Sequence, residues 1–384
     1  MVVGERDLYL AECRRLVVEA LRRLAPVDGP DAELYRAVLA YPLREAKGLR
    51  PALCIAAARS LGALVDEAVP TATALELFHN AFLVHDDVED GSERRRGLST
   101  LQRDLGEAQA INVGDAMLAL ALTPLLENLE VLDLGRALRI LELVTSMARE
   151  TAEGQAMELR WIRDGTWDVS EGDYVRMVRK KTAIYSFATP LGAGGICARA
   201  SADTLAQLRR RGEALGVAFQ IQDDLLNLEG DPSEVGKEAC GDLWEGKRTL
   251  VVTHYARTAS REEALWATAI LDRPRPRGRA APVELVRRKL RERFLAGAFD
   301  RAAWAEIEAA FACGAGPGTK TADEVRNLRE RLEAHGSLAA AAAVADRWAA
   351  AARRGWEELQ ARFAPGTHRD LVASMVSYVV GRER

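Results

Sequence analysis

A chain of 384 residues in which 48% of side chains are apolar and only 6% aromatic can build a large core, and with Ala and Leu carrying most of the apolar content it favours helices over sheets. The formal net charge of −4 argues against a surface built to coat nucleic acid. Five cysteines, Cys13, Cys54, Cys197, Cys240 and Cys313, lack the spacing of a paired metal motif or a disulfide framework, which points to a reducing, cytoplasmic setting.

Taken from the N-terminus, "MVVGERDLYLAECRRL" has neither the basic start nor the apolar core of a secretory signal. From Asp7 to about Glu330 apolar residues recur at three- and four-residue spacing, so the chain reads as a stack of helices. "ATALELFHNAFLVHDDVED" predicts a helix with Thr71 as its N-cap and Gly91 as its stop. Asp86 and Asp90 fall at i and i+4 on one face, with Asp87 about a quarter-turn away. Acids at a helix C-terminus are locally unfavourable, so something positive is expected among them. Hard oxygen ligands in that geometry suit Mg²⁺, and Arg94, Arg95 and Arg96 follow at once with guanidinium forks that match phosphate. The apolar run "AMLALALTPLL" is too short for a bilayer and holds Pro124, so no transmembrane segment is expected.

"GAGGIC" at 192–197 predicts close helix packing. "AFQIQDDLLNLEGD" then repeats the earlier arrangement, with the pair Asp223 and Asp224, Asn227 at i+4 and Gly230 as a stop. Lys237, Lys247 and Arg248 bring positive charge near Asp242. Two such ends, each followed by bases, suggest that they face each other across one cavity and clamp a diphosphate with several Mg²⁺ ions. "LDRPRPRGRAAP" at 271–282 cannot continue a helix, and "CGAGPGTK" breaks the pattern again at 313–320. We expect a single domain over residues 1–384 with a helical insertion at about 271–320, its arginines at 273–279 forming a solvated loop. Two last helices are predicted to part near His335 and Gly336. His85 has no second histidine at ligand spacing and reads as structural.

Together these stretches resemble the trans-isoprenyl diphosphate synthases, or polyprenyl synthetases, most of all the geranylgeranyl diphosphate synthases. "HDDVEDGSERRRG" and "FQIQDDLLNLEGD" are similar to the two aspartate-rich motifs of that family. "KGLRPAL", "INVGDAMLA", "EGQAMEL", "RKKTA", "GDLWEGKRTL" and "VVGRER" follow in the family's order.

The resemblance implies the all-α isoprenoid synthase fold, a bundle of long antiparallel helices around a central cavity, usually as a homodimer. It implies three Mg²⁺ ions, two held by Asp86 and Asp90 and one by Asp223, with Asp87 and Asp224 in support. Lys47, Arg50, His79 and Arg96 would hold the diphosphate of isopentenyl diphosphate. Arg95, Lys181, Lys237 and Lys247 would hold that of the allylic substrate, and Thr182 and Gln220 would turn oxygens toward the allylic cation. Two positions depart from the pattern: Glu45-Ala46-Lys47-Gly48 stands where Gly-Gly-Lys-Arg is usual, and Asn227 where Asp is commoner.

One helical turn descends about 5.4 Å, close to one isoprene unit, so Phe82, Ala81 and Phe78, which lie four, five and eight residues before Asp86, can floor the cavity. By the resemblance, a small Ala81 beside a large Phe82 favours geranylgeranyl diphosphate, C20. A terpene cyclase on the same fold and a non-catalytic regulatory subunit of a synthase are the alternative readings.

Overall fold

The computed structural model describes residues 3–44, 46–229, 240–275, 289–295, 297–314 and 318–380. Glu45, Gly230, Lys237 and the whole 276–288 stretch therefore lie outside the described residues. Among the described residues helices account for nearly every element. They run α1 (Val3–Leu24), α2 (Ala32–Leu43), α3 (Leu49–Ser60), α4 (Val69–Asp90), α5 (Leu101–Leu105), α6 (Glu107–Leu120), α7 (Leu122–Val131), α8 (Leu134–Arg163), α9 (Glu171–Val178), α10 (Thr189–Cys197) and α11 (Ala202–Glu229). Later helices include Gly241–Glu245, Leu250–Thr258, Arg261–Leu271, Arg301–Gly314, Ala322–Ala334, Ser337–Leu359 and Thr367–Val380. The break expected near Gly336 is present, with that glycine left-handed at φ 79°.

Helix α4 starts earlier than its sequence suggests. Pro70 occupies the first turn and Ala68 the N-cap position, where a missing N–H costs nothing and a fixed φ helps. Thr71 is instead buried inside the helix and donates its hydroxyl to Asn128 Oδ1 at 3.0 Å. The other end ends at Gly91 as expected, in the left-handed conformation at φ 63°.

Between α9 and α10 the chain winds as a π-helix over Arg179–Ala188, a form that is rare and recurs at functional sites. It is pressed between α8 and α11, and glycines make the approach possible. A Cβ on Gly154 of α8 would stand 2.4 Å from Lys181 N, and one on Gly216 of α11 would stand 2.5 Å from Ala183 Cα. The same device brings α10 against α3, where a Cβ on Gly194 would meet Cys54 O at 2.4 Å. One apolar core joins α1–α4, α6 and α10 to the C-terminal helices. A second gathers Trp161, Tyr174, Val251, Leu328 and Leu332 around the distal half of α11.

Candidate active site

The C-terminal ends of α4 and α11 open on one cavity of about 600 Å³, whose lining includes Asp86, Asp223 and Asp224. Lys181 and Thr182 reach it from the π-helix, Gln220 from α11, and Lys247 from the turn after Gly241–Glu245. One and two turns before Asp86, Phe82 and Phe78 line its apolar part with Leu83, Leu118 and Leu122. Ala81 is fully buried in the core and does not line the cavity.

Each aspartate of α4 meets a cation. Lys181 Nζ lies 3.2 Å from Asp86 Oδ1 and also pairs with Glu158. Lys247 Nζ lies 2.7 Å from Asp90 Oδ2 and 2.8 Å from Glu245 Oε2. Burial works against the charge of both lysines, but Asp86, Asp90 and their glutamate partners hold them well above the ordinary lysine range. Burial likewise disfavours a charged Asp86, yet Lys181, Lys247 and Arg95 outweigh it and keep the carboxyl well below its usual range.

The arginines after α4 are parted by a two-residue turn. Arg94–Arg95 pairs antiparallel with Leu98–Ser99, and both turn residues, Arg96 at φ 54° and Gly97 at φ 75°, have positive φ, as the tight hairpin turn that suits strand twist requires. Arg94 is exposed, Arg95 turns inward onto Asp87 (Nε to Oδ1, 3.0 Å), and Arg96 donates to Tyr41 O at 3.1 Å. Asp87 is a buried strut rather than a cavity-facing acid, for Tyr41 OH also donates to its Oδ2 at 2.5 Å.

Asp224 of α11 is held in the same manner, by Tyr174 OH at 2.5 Å and Gln220 Nε2 at 2.8 Å. Burial and the neighbouring Asp242 push its carboxyl up to about 8. Asn227 turns its Oδ1 to Asp242 N at 3.0 Å, which ties the end of α11 to the Gly241–Glu245 helix.

A second pocket of about 140 Å³ adjoins the first and shares Arg50 and His79 with it. Lys47, Arg96 and Tyr378 also line it. Lys47 Nζ donates to Tyr378 OH, and Arg50 NH2 donates to Tyr185 OH at 3.1 Å and Ser186 Oγ at 2.8 Å. Burial and the charges of Arg50, Arg96 and Arg95 hold the His79 imidazole well below its ordinary value, so it is neutral. The set of basic groups matches an anion.

Two sequence expectations need correcting. Arg248 does not serve Asp242: it is 1% exposed, stacked 3.9 Å from the Trp167 ring centroid and bonded to Asp272 at 2.9 Å. Nor are the arginines from 273 on a solvated loop where they are described. Arg273 pairs with Glu324 at 2.7 Å, and Arg275 is a mostly buried neighbour of Glu245. Tyr41, Tyr174, Glu158 and Glu245 went unnoticed in the sequence. Glu158 and Glu245 had a signal there, their places inside "EGQAMEL" and "GDLWEGKRTL".

All-helical architecture with two aspartate-bearing helix ends around one cavity defines the prenyl synthase fold. The polyprenyl synthase of Caulobacter crescentus CB15, complexed with calcium and isoprenyl diphosphate, superposes with a TM-score of 0.75 and 27% identity over 98% of this chain and 97% of its own. A model of the polyprenyl synthetase family matches residues 32–282, and the chain belongs to that family. It is 36% identical over 217 residues to a geranylgeranyl diphosphate synthase of Saccharolobus solfataricus, a match covering 56% of this chain and 64% of that relative. It is 35% identical over 222 residues to an octaprenyl diphosphate synthase of Haemophilus influenzae, covering 57% and 63% respectively. The matches thus span just under two thirds of the length of these two relatives.

Proposed function

We propose that the chain joins isopentenyl diphosphate to an allylic diphosphate (dimethylallyl, geranyl or farnesyl) in a Mg²⁺-dependent head-to-tail condensation. The product is an all-trans prenyl diphosphate, with geranylgeranyl diphosphate favoured. The observation that carries this reading is the meeting of the α4 and α11 ends on one cavity with a charged mouth and an apolar continuation, beside a basic second pocket. Two diphosphates and one growing hydrocarbon need that division of space.

Hard carboxylate oxygens fit Mg²⁺, and the lysine ammoniums seated on Asp86 and Asp90 demonstrate that these oxygens accept positive charge. Among the described residues no group of three or more His, Cys, Asp or Glu side chains is gathered for a cation; substrate phosphate oxygens would supply further ligands, as is usual for Mg²⁺. Asp86, Asp90 and Asp223 would hold the metal, which when bound offsets charge growing on the leaving diphosphate. Lys181, Lys247 and Arg95 add fixed positive charge at the same place, and Lys237 joins them by sequence. The allylic C–O bond breaks, the isopentenyl double bond forms the new C–C bond, and the departing pyrophosphate takes the released proton. Thr182 and Gln220 face the cation; Gln220 gives its amide nitrogen to Asp224, so its carbonyl oxygen is the part that meets the positive carbon. Lys47, Arg50, His79 and Arg96 hold isopentenyl diphosphate. Phe78 and Phe82 limit chain growth.

The protein works as a homodimer in this reading. Leu122, Leu126 and Leu129 on α7 and Leu134, Leu138 and Leu141 on α8 recur at four- and three-residue spacing and are 40–63% exposed, an apolar face too continuous for a lone subunit. The stretch Glu107–Val131 is long and apolar enough by composition to cross a membrane; we assign its exposed leucines to a second copy of the chain. Buried free thiols at Cys13, Cys54, Cys197 and Cys240 suit the cytosol.

Incubation with farnesyl diphosphate and Mg²⁺, with and without isopentenyl diphosphate, followed by mass analysis of the dephosphorylated products, tests the assignment. A longer prenyl alcohol is expected only when both substrates are present. Hydrocarbon formed from farnesyl diphosphate alone would refute condensation in favour of cyclisation.

A further inference from the structure

The apolar end of the main cavity lies between α4, α6–α7 and α8, and two pairs of contacts fix the relative heights of these helices. Arg136 NH1 donates to Glu67 Oε1 at 2.8 Å just before α4 begins, and Gln155 Nε2 reaches Asp86 Oδ1 at 3.4 Å near its end. Both contacts span 69 residues, so α8 runs parallel to α4 and rises with it turn for turn. On the other side a Cβ on Gly114 would stand 2.2 Å from His85 Nε2, and Thr71 bonds Asn128 at 3.0 Å. The two contacts lie equally far apart on both segments, so α6–α7 descends past α4 at the same pace as α4 climbs.

This register sorts the lining side chains into levels. One turn below Asp86 stand Phe82, Leu118 and Thr151. Two turns below, at about 12 Å by helix rise, stand Phe78, Leu122 and Ala148. No described residue deeper along these helices lines the cavity, so the lower ring is its floor. The floor is uneven. Phe78 is backed by the apolar core, whereas Leu122 is 52% exposed and sits where the floor meets the leucine face. Ala148 contributes only a methyl group, on a helix that the buried Val144 and Met147 anchor in the core. The space it leaves is free volume for a hydrocarbon, and the size of a pocket side chain decides which substrate length fits.

We propose that this ring across three helices sets product length and that Ala148 of α8 is its specificity-determining member opposite Phe78. The inference rests on reading the chain as a prenyl diphosphate synthase. Its consequence is that the length of the product is measured by α8 together with α4, and not by α4 alone.

The test is mass analysis of the dephosphorylated products that the full-length chain makes from dimethylallyl diphosphate and isopentenyl diphosphate with Mg²⁺. Ala148→Phe is expected to stop at least one isoprene unit short of the wild type. The KM for isopentenyl diphosphate and the rate of the first condensation should not move, because Lys47 and Arg50 lie in the other pocket and the first product does not reach the floor. Ala148→Leu should shift the distribution the same way by a smaller amount. Phe78→Ala should lengthen the product, and adding Ala148→Phe should bring it back, since the two side chains share one space. Arg149→Phe, which places the same ring at a neighbouring position that is 69% exposed, should leave product length unchanged. Wild-type product from Ala148→Phe, equal shortening in Arg149→Phe, or a double variant as long in product as Phe78→Ala would each overturn the assignment. Should Ala148→Phe fail to fold, wild-type product from Ala148→Leu would overturn it as well. Absence of any prenyl diphosphate from the wild type would instead remove the condensation reading on which it rests.

Discussion

The two acidic helix ends share a strut and differ in what balances it. On α4, Asp87 accepts a hydrogen bond from Tyr41 and an ion pair from Arg95; on α11, Asp224 accepts from Tyr174 and from the uncharged Gln220. In both pairs a tyrosine locks the second aspartate; on α4 only the first, Asp86, lines the cavity, whereas on α11 both Asp223 and Asp224 do. The α4 end is already neutralised by Lys181, Lys247 and Arg95. At the α11 end, burial and Asp242 leave Asp224 with a carboxyl pushed up to about 8. Burial raises the carboxyls of Asp87 and Asp90 as well, so similar sequence yields two ends that differ in what holds the strut beside its tyrosine, an arginine on α4 and a glutamine on α11.

The largest effect should come from the cavity-facing members. Asp86→Asn and Asp223→Asn should each lower turnover by about a thousandfold or more, given the share of catalysis such electrostatic groups carry, with circular dichroism unchanged. Retention of near-normal turnover in Asp223→Asn alone would mean that the α11 end is a bystander.

The struts separate the two ends by stability. Asp87→Ala takes the hydrogen-bonded carboxylate from the buried Arg95 and leaves it only the longer contact to Asp86 at 3.7 Å, a loss of about 3–5 kcal/mol. Asp224→Ala strands only an amide and a hydroxyl, about 1–3 kcal/mol. Urea unfolding of the two variants compares them directly, and equal losses would erase the distinction between an ionic and a neutral strut.

A smaller effect is expected at the α8 contact that aims Lys181. Gly154→Ala forces the π-helix away, since the new Cβ would meet Lys181 N at 2.4 Å, and overpacking of this sort costs about 1–3 kcal/mol. Turnover should fall further than the unfolding midpoint alone explains, because Lys181 leaves Asp86.

The smallest effect is on pH dependence. Because burial and Asp242 raise the folded-state carboxyl of Asp224 to about 8, from an ordinary aspartate value of about 3.9, the folded chain holds a proton that the unfolded chain has lost between those two values. Its contribution to stability is complete below about pH 4 and declines as pH rises toward 8. In chelator, the melting temperature should drop between pH 6 and pH 8.5, and Asp224→Asn should flatten that slope. An unchanged slope in the variant would place the titrating group elsewhere.

How much of this could be read from the chain depends on distance along it. The acidic ends, the Gly91 stop and the break at Gly336 depend on neighbouring residues, and those readings match the helices seen. The start of α4 differs from the sequence expectation because Thr71 is a good cap by type, whereas Pro70 sits in the first turn just before it. Tyr41 and Tyr174 lie 46 and 50 residues from the aspartates they hold, so only the fold brings them there. Arg275 looked solvated for the same reason: a Pro- and Arg-rich stretch reads as an open loop until Lys320, far along the chain, closes it onto Trp244. Nor does sequence spacing reveal that Ala81 turns into the core while Phe78 and Phe82 reach the cavity.

The central claim is that both helix ends act on one metal-bound diphosphate. It is tested most directly by anomalous diffraction from crystals grown with Mn²⁺ and a non-hydrolysable allylic diphosphate analogue. The account predicts anomalous peaks against Asp86 and Asp90 and a further peak against Asp223, all bridged by the same diphosphate. Metal and diphosphate bound at only one helix end would contradict it.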